Sequence, residues 1–321
     1  MDNKEVIQLS VIVPVYNEEL NLPELYSRLK SVCTKLKLSY ELIFVNDGSR
    51  DGSIQVIEEL VNTDKNVRFI NFSRNFGHQI AVTAGIDHCK GEAAVIIDSD
   101  LQDPPELIED MYLKYMDGYQ VVYAKRKERK GENIFKTFTE KMFYRILKSI
   151  TSIDIPLDTG DFRLIDRKII DGLKQMPERN KFLRGQIAWL GFKQIMVEFV
   201  RDKRKHGVTG YPLKKMLKFA MDGITAFSDM PLKMVTRIGF LVSFFAFMVI
   251  LYACYSYFFL HRVITGWTSL IISTMFIGGI QLISVGIMGE YISRINTDIR
   301  KRPLYIIDDS NVDTTVHLIE P

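Results

Sequence analysis

The chain has 321 residues and a mass of 37.1 kDa, room for one large domain or two ordinary ones. Its 42 Lys and Arg oppose 39 Asp and Glu, and a net charge of +3 excludes a general nucleic-acid binder. A composition 47% hydrophobic and 25% charged excludes a disordered or collagen-like chain, and Cys33, Cys89 and Cys254 are too few and too unevenly spaced for a disulfide scaffold.

In chain order, short β-rich runs alternate with helical patterns. Residues 2–5 are mostly charged and precede an apolar run ending at Pro14, which is not the pattern of a signal peptide. Residues 9–15, 41–45, 67–72, 93–97 and 120–123 read as strands; 18–36, 53–61, 77–88 and 105–116 read as helices. This alternation predicts an α/β fold with a mostly parallel, Rossmann-like sheet and helices on both faces. Ligands of such sheets bind beyond the carboxyl ends of the strands. The polar clusters sit at those ends: Tyr16-Asn17-Glu18, Asn46-Asp47-Gly48-Ser49, Ser73-Arg74-Asn75 and Asp98-Ser99-Asp100.

A helix is expected around 132–150, then the segment Asp158-Thr159-Gly160-Asp161-Phe162-Arg163, then a helix from Asp166. Over 212–229 the residues Leu213, Met216, Leu217, Ala220, Met221, Ile224 and Phe227 share one helical face, with Lys214, Lys215 and Lys218 off it. Such a helix can lie in a membrane interface. Residues 238–260 and 263–289 contain no charged residue, and each run is long enough to span a bilayer. Lys233 and Arg237 precede the pair and Arg294, Arg300, Lys301 and Arg302 follow it, whereas the link holds only Arg262. The positive-inside bias places both ends in the cytoplasm. The expected layout is a cytosolic catalytic domain at 1–211, a juxtamembrane amphipathic helix at 212–234, a transmembrane hairpin at 235–292 and a cytosolic C-terminal tail at 293–321.

Two carboxylates after an apolar strand, Asp98 and Asp100, can share one hard divalent cation, with Gln102 as a further oxygen donor. Asp47 supplies a second acidic strand end on the same edge. Two basic runs remain, one at 125–130 with Arg126 and Arg129 and one at 201–206 with Arg201 and Arg204. Their positions beside the expected site and the membrane suit diphosphate and lipid phosphate. His78 and His88 belong to no metal-ligand spacing and are read as helix-surface or packing residues. No phosphate-binding Gly-x-x-x-x-Gly-Lys loop or Gly-x-Ser-x-Gly elbow occurs.

The stretches Val13-Pro14-Val15-Tyr16-Asn17-Glu18, Asn46-Asp47-Gly48-Ser49 and Asp98 to Glu106 together resemble the inverting family-2 glycosyltransferases of the GT-A fold. Ser73-Arg74-Asn75-Phe76-Gly77-His78, Gly160-Asp161-Phe162-Arg163-Leu164 and Arg184-Gly185-Gln186 narrow the resemblance to polyprenyl-phosphate glycosyltransferases, over residues 8–302. The family usually has Ser-Lys-Tyr where this chain has Thr209-Gly210-Tyr211. The resemblance implies transfer of one sugar from a nucleotide sugar to polyprenyl (undecaprenyl) phosphate at the cytosolic face of the inner membrane, by a homo-oligomer, a tetramer. UDP-glucose is the first donor to test. By the same resemblance Pro14, Tyr16, Glu18, Asp47 and Asp98 hold the nucleotide or its sugar, and Asp98, Asp100 and Gln102 hold Mg²⁺ or Mn²⁺. Asp161 occupies the position of a catalytically important aspartate. A processive polysaccharide synthase is disfavoured by two spans and by Gln186-Ile187-Ala188-Trp189 in place of Gln-x-x-Arg-Trp. An inactive nucleotide-sensing membrane scaffold is disfavoured by the intact acidic set.

Overall fold

The computed structural model describes residues 6–126, 159–199, 230–259 and 266–313. The expected helices at 132–150 and 212–229, the link at His261-Arg262, and Arg129, Arg201 and Arg204 lie outside the described residues.

The first half is the predicted alternation. Strands β1 (Leu9–Val15), β2 (Tyr40–Asn46), β3 (Val67–Phe72) and β4 (Ala93–Ile96) are followed in turn by α1 (Leu22–Leu36), α2 (Ser53–Thr63), α3 (His78–His88) and α4 (Leu107–Met116). Helix α1 starts later than the periodicity predicts. Pro23 sits in its first turn, and the backbone ahead of it is bonded to the 49–53 loop: Glu18 N donates to Ser53 Oγ at 3.0 Å and Glu19 N to Asp51 Oδ2 at 3.2 Å.

After α4 come β5 (Val121–Arg126), β6 (Thr159–Asp166), α5 (Arg167–Lys174), α6 (Leu183–Trp189) and β7 (Gln194–Phe199). Asp166 caps α5 by accepting from Lys168 N at 2.7 Å. The sequence reading anticipated α5 but not β6, α6 or β7. The long helices α7 (Met230–Phe259) and α8 (Trp267–Ile299) follow, and β8 (Ile307–Ser310) comes last.

All eight described strands form one sheet in the order β7-β5-β6-β4-β1-β2-β3-β8. β1 pairs in parallel with β2 and β4, and β2 with β3; β6 and β8 run antiparallel to their neighbours. Side chains alternate across it. Val11, Val13, Val15, Leu42 and Phe44 pack with α1 and α4 residues such as Leu25, Leu29, Ile108 and Met111. Ile12, Ile43 and Val45 face the opposite layer with Ala81, Ala84, Ile169 and Ile187. Strands buried on both faces explain the near-continuous apolar runs. Cys33 and Cys89 are buried and free.

Helix α7 has 30 residues and α8 has 33, each longer than a bilayer core requires. Both contain stretches apolar enough to cross a membrane, and Phe240, Phe244, Met275 and Leu282 lie exposed on them. The residues read as a C-terminal tail supply β8, which closes the β3 edge of the sheet.

Candidate active site

Because β1 to β4 are parallel, their carboxyl ends open on one edge, and the four predicted polar clusters meet there. Strand β6 brings the fifth. It runs antiparallel to β4 with Ile96 opposite Arg163, so Asp161, before Arg163, lies beside Asp98, beyond Ile96.

Asp161 is the hub. Its Oδ1 accepts from Arg184 Nε at 2.8 Å; its Oδ2 accepts from Gln79 Nε2 at 3.2 Å and lies 3.1 Å from His78 Nε2. Burial works to raise its pKa, yet Arg184 and His78 outweigh burial and hold the carboxyl well below the usual range. His78 Nε2 is also 3.6 Å from Asp98 Oδ1. Burial acts to lower the imidazole pKa, but Asp161 and Asp98 together raise it to about 9. The two carboxylates thus favour the protonated form of His78. Its side chain keeps 43% of its surface exposed, enough to meet a ligand.

Asp98 has the opposite environment. Burial pushes its carboxyl up; His78 opposes the rise, and the charges of Asp161 and Asp100 add to it. Its Oδ1 is buried with no hydrogen bond. A charged oxygen left in that condition suits a cation. Asp100 is buried and its Oδ1 accepts from Gln102 N at 3.1 Å, so the metal residues expected from sequence share one turn. Among the described residues no three His, Cys, Asp or Glu side chains form a ready metal cage. Two carboxylates and an amide fit a hard cation that completes its shell with substrate phosphate oxygens.

Beside this cluster lies a cavity of about 350 Å³ lined by Tyr16, Asn46, Ser49, Asn71, Arg74 and Asn75 among others. Its walls are cross-braced. Ser49 Oγ donates to Asn46 Oδ1 and accepts from Asn17 N at 3.0 Å, and Arg50 N donates to Asn17 Oδ1 at 2.8 Å. Tyr16 is 44% exposed at the rim, and Arg74 stacks 3.9 Å from the Phe76 ring centroid. Pro14 is buried in β1, and its carbonyl accepts from Ser99 Oγ at 2.9 Å, which fixes the Asp98–Asp100 turn to β1. Glu18 accepts from Asn21 Nδ2 at the start of α1.

Asp47, expected at the base or ribose, is only 3% exposed. Its carboxylate accepts from Phe76 N at 2.6 Å and Gly77 N at 3.0 Å, so its visible work is to fold the 75–78 loop under the site. Burial raises its pKa while those amides oppose the rise. Gly48, next to it, has φ +64°, and a Cβ there would fall 2.5 Å from Arg74 C and 2.6 Å from Asn75 N. Gly48→Ala is expected to cost about 2 kcal/mol or more from left-handed strain and overpacking, and so to lower Tm by about 5 °C. An unchanged Tm would show that the 74–75 backbone does not press on this turn.

His78 lies on the helix surface, one of its two sequence readings, and there takes a role the sequence did not assign, bridging Asp98 and Asp161. Arg184 and Gln79 likewise carried no role in that reading. The usable signal was position: His78 and Gln79 follow a strand end on the functional edge. His88 does pack, buried 3.4 Å from the Tyr305 hydroxyl. Arg126 closes β5, in register with Phe199.

Comparison with known proteins identifies the family. Residues 10–173 match the model of glycosyl transferase family 2. An uncharacterized glycosyltransferase of Bacillus subtilis, YkcC, is 54% identical over 304 residues, covering 95% of this chain and 94% of its own. A prophage-derived bactoprenol glucosyl transferase of Shigella flexneri is 37% identical over 305 residues, covering 95% of this chain and 99% of its own. A prophage bactoprenol glucosyl transferase homolog of Escherichia coli K12 is 38% identical over 301 residues, 94% of this chain and 98% of its own. A mostly parallel sheet with its acidic turns gathered on one edge, and relatives matched along nearly their whole length, make this chain a member of glycosyl transferase family 2 with the GT-A fold, a glycosyltransferase.

Proposed function

We propose that the protein transfers a single sugar from a nucleoside diphosphate sugar to polyprenyl phosphate at the cytosolic face of the inner membrane, with inversion at the anomeric carbon. The observation that carries this reading is the match to bactoprenol glucosyl transferases across the catalytic domain and both long apolar helices. UDP-glucose is the first donor in this reading. Tyr16, Ser49 and Arg74 line the cavity that would take the nucleotide, and Pro14, Glu18 and Asp47 hold the loops around it.

In the reaction an oxygen of the lipid phosphate attacks the anomeric carbon, the bond from that carbon to the diphosphate breaks, and the nucleoside diphosphate leaves. Asp98, Asp100 and Gln102 would hold Mg²⁺ or Mn²⁺, which when bound neutralises charge on the departing diphosphate. The acceptor phosphate is already ionised near neutral pH, so the step needs little base catalysis. Asp161 suits that requirement: a carboxylate held below the usual range by Arg184 and His78 is a weak proton acceptor. Its role is electrostatic, stabilising positive character at the anomeric carbon and fixing Arg184 and His78. In this reading His78 and Arg184 would supply positive charge to the phosphates.

In this reading helices α7 and α8 form the membrane hairpin, and the basic residues flanking them keep the catalytic domain on the cytosolic side. Purified protein incubated with labelled nucleotide sugars and polyprenyl phosphate should give one sugar per lipid. A polymer would mean a processive synthase, and no product with any donor would mean a scaffold. Arg126, Arg129, Arg201 and Arg204 are assigned to diphosphate and acceptor phosphate. Arg204→Ala is expected to raise the apparent KM for polyprenyl phosphate about tenfold, the worth of one charged hydrogen bond, with donor binding unchanged. Lys should rescue it only in part. Unchanged acceptor kinetics in both Arg201→Ala and Arg204→Ala would return the segment to ordinary solvated surface.

The exposed apolar faces of α7 and α8 also suit self-association, and the assembly proposed is a homo-tetramer. Light scattering in mild detergent should show an oligomer; a monomer at every concentration would refute it.

A further inference from the structure

The 73–78 loop joins β3 to α3, supplies the amides that Asp47 binds, and delivers His78 to Asp161. The strand that enters it and the far end of the helix that leaves it are both held by residues 305–313. On the strand side, Ser73 N donates to Ile306 O at 3.1 Å. The Tyr305 ring stacks on Phe72 with centroids 5.1 Å apart and planes at 20°, and Phe72 meets Phe76 edge-on at 5.5 Å. On the helix side, the Tyr305 hydroxyl donates to Asp87 Oδ2 at 3.0 Å, and the Asp313 carbonyl lies 3.2 Å from His88 Nδ1. Between these grips β8 pairs with β3, and Asn311 Oδ1 accepts from Phe69 N at 2.7 Å.

Tyr305 thus touches the strand that enters the loop and the helix that leaves it. Residues 300–304 are all that separate it from α8, a span of at most about 20 Å. The end of α8 is itself held to the catalytic domain, where Arg179 N donates to Asp298 Oδ1 at 3.1 Å.

We propose that residues 305–313 are a strap that positions the 73–78 loop, with Tyr305 a positioning residue acting through the Phe76–Gly77 amides and His78. The strap ties the site to the exit of the second long helix, so docking of that helix end and assembly of the site are one event. An edge strand that merely covers the sheet would contribute stability and nothing else.

Two measurements on the full chain in detergent separate these cases. The first is hydrogen exchange. Tyr305→Ala should speed exchange of the Phe76 and Gly77 amides about tenfold, with β1 and β2 unchanged. Tyr305→Phe, which keeps the ring stack but loses the bond to Asp87, should speed it by a smaller factor than Tyr305→Ala. Tyr305→Leu keeps an apolar side chain while removing the ring and hydroxyl, and replaces the Ala variant if that one does not fold. The second is a double-mutant cycle in turnover. Tyr305→Ala alone should lower kcat about tenfold through misplaced His78, and in a His78→Ala background it should lower kcat less than about twofold. Full multiplication of the two losses, or a lowered Tm with kcat and amide exchange unchanged, would overturn the strap. The turnover arm rests on the proposed reaction and the exchange arm does not. If wild-type protein forms no lipid-linked sugar, that reaction fails and exchange alone decides the strap.

Discussion

Asp161→Asn is expected to lower kcat by about 10²-fold or more, the range of a positioned charged group at a reacting centre, while donor affinity stays within about twofold. The substitution keeps shape and removes charge. Arg184 Nε and His78 Nε2, at 2.8 and 3.1 Å, then lose the anion that orders them. The imidazole also loses the largest interaction raising its pKa, so its proton is held less tightly at neutral pH. Three effects fall on one atom pair, and none of them touches the cavity beside Tyr16 and Arg74. Collapse of donor binding would place Asp161 in the nucleotide site and remove the role assigned to it.

Asp100→Asn and Asp98→Asn are expected to cost still more, about 10³-fold in turnover or beyond, because in the proposed reaction each would remove a charged ligand from the cation. They should differ in the metal-free protein. Asp98 is a partly buried anion that His78 attracts and that Asp161 and Asp100 repel, with one buried oxygen that has no hydrogen bond. A neutral amide relieves that repulsion but also gives up the attraction to His78, so the two changes oppose and the Tm of metal-free Asp98→Asn should stay level. Wild type should gain Tm on adding Mg²⁺ or Mn²⁺ with donor, and both variants should lose the gain. Near-wild-type turnover of either variant in millimolar Mg²⁺ would refute the metal assignment.

How much of this was legible in the residues depends on range. The alternation of strands and helices through Met116 could be read because period and turn chemistry act between near neighbours, and parallel strands necessarily bring their carboxyl ends to one edge. That logic placed Tyr16, Asp47, Asp98 and Asp100 together. It also singled out Gly160-Asp161-Phe162-Arg163, though only through family resemblance, since nothing local marks that segment as a strand. Boundaries slipped where side chains from another loop intervened, as when Ser53 and Asp51 took the backbone amides ahead of α1.

By itself the sequence determined the layered α/β plan, the acidic turns at the strand ends, the two long apolar helices and the glycosyltransferase family. The tertiary structure alone decided which groups meet Asp161. Antiparallel pairing of β6 with β4 sets that carboxylate beside Asp98, α3 brings His78 and Gln79, and α6 brings Arg184. It alone turned the residues after α8 into β8 and placed Tyr305 on Phe72. Periodicity reports the face on which a side chain lies. Its partner depends on strand register and helix packing between segments far apart in the chain, which no local pattern encodes.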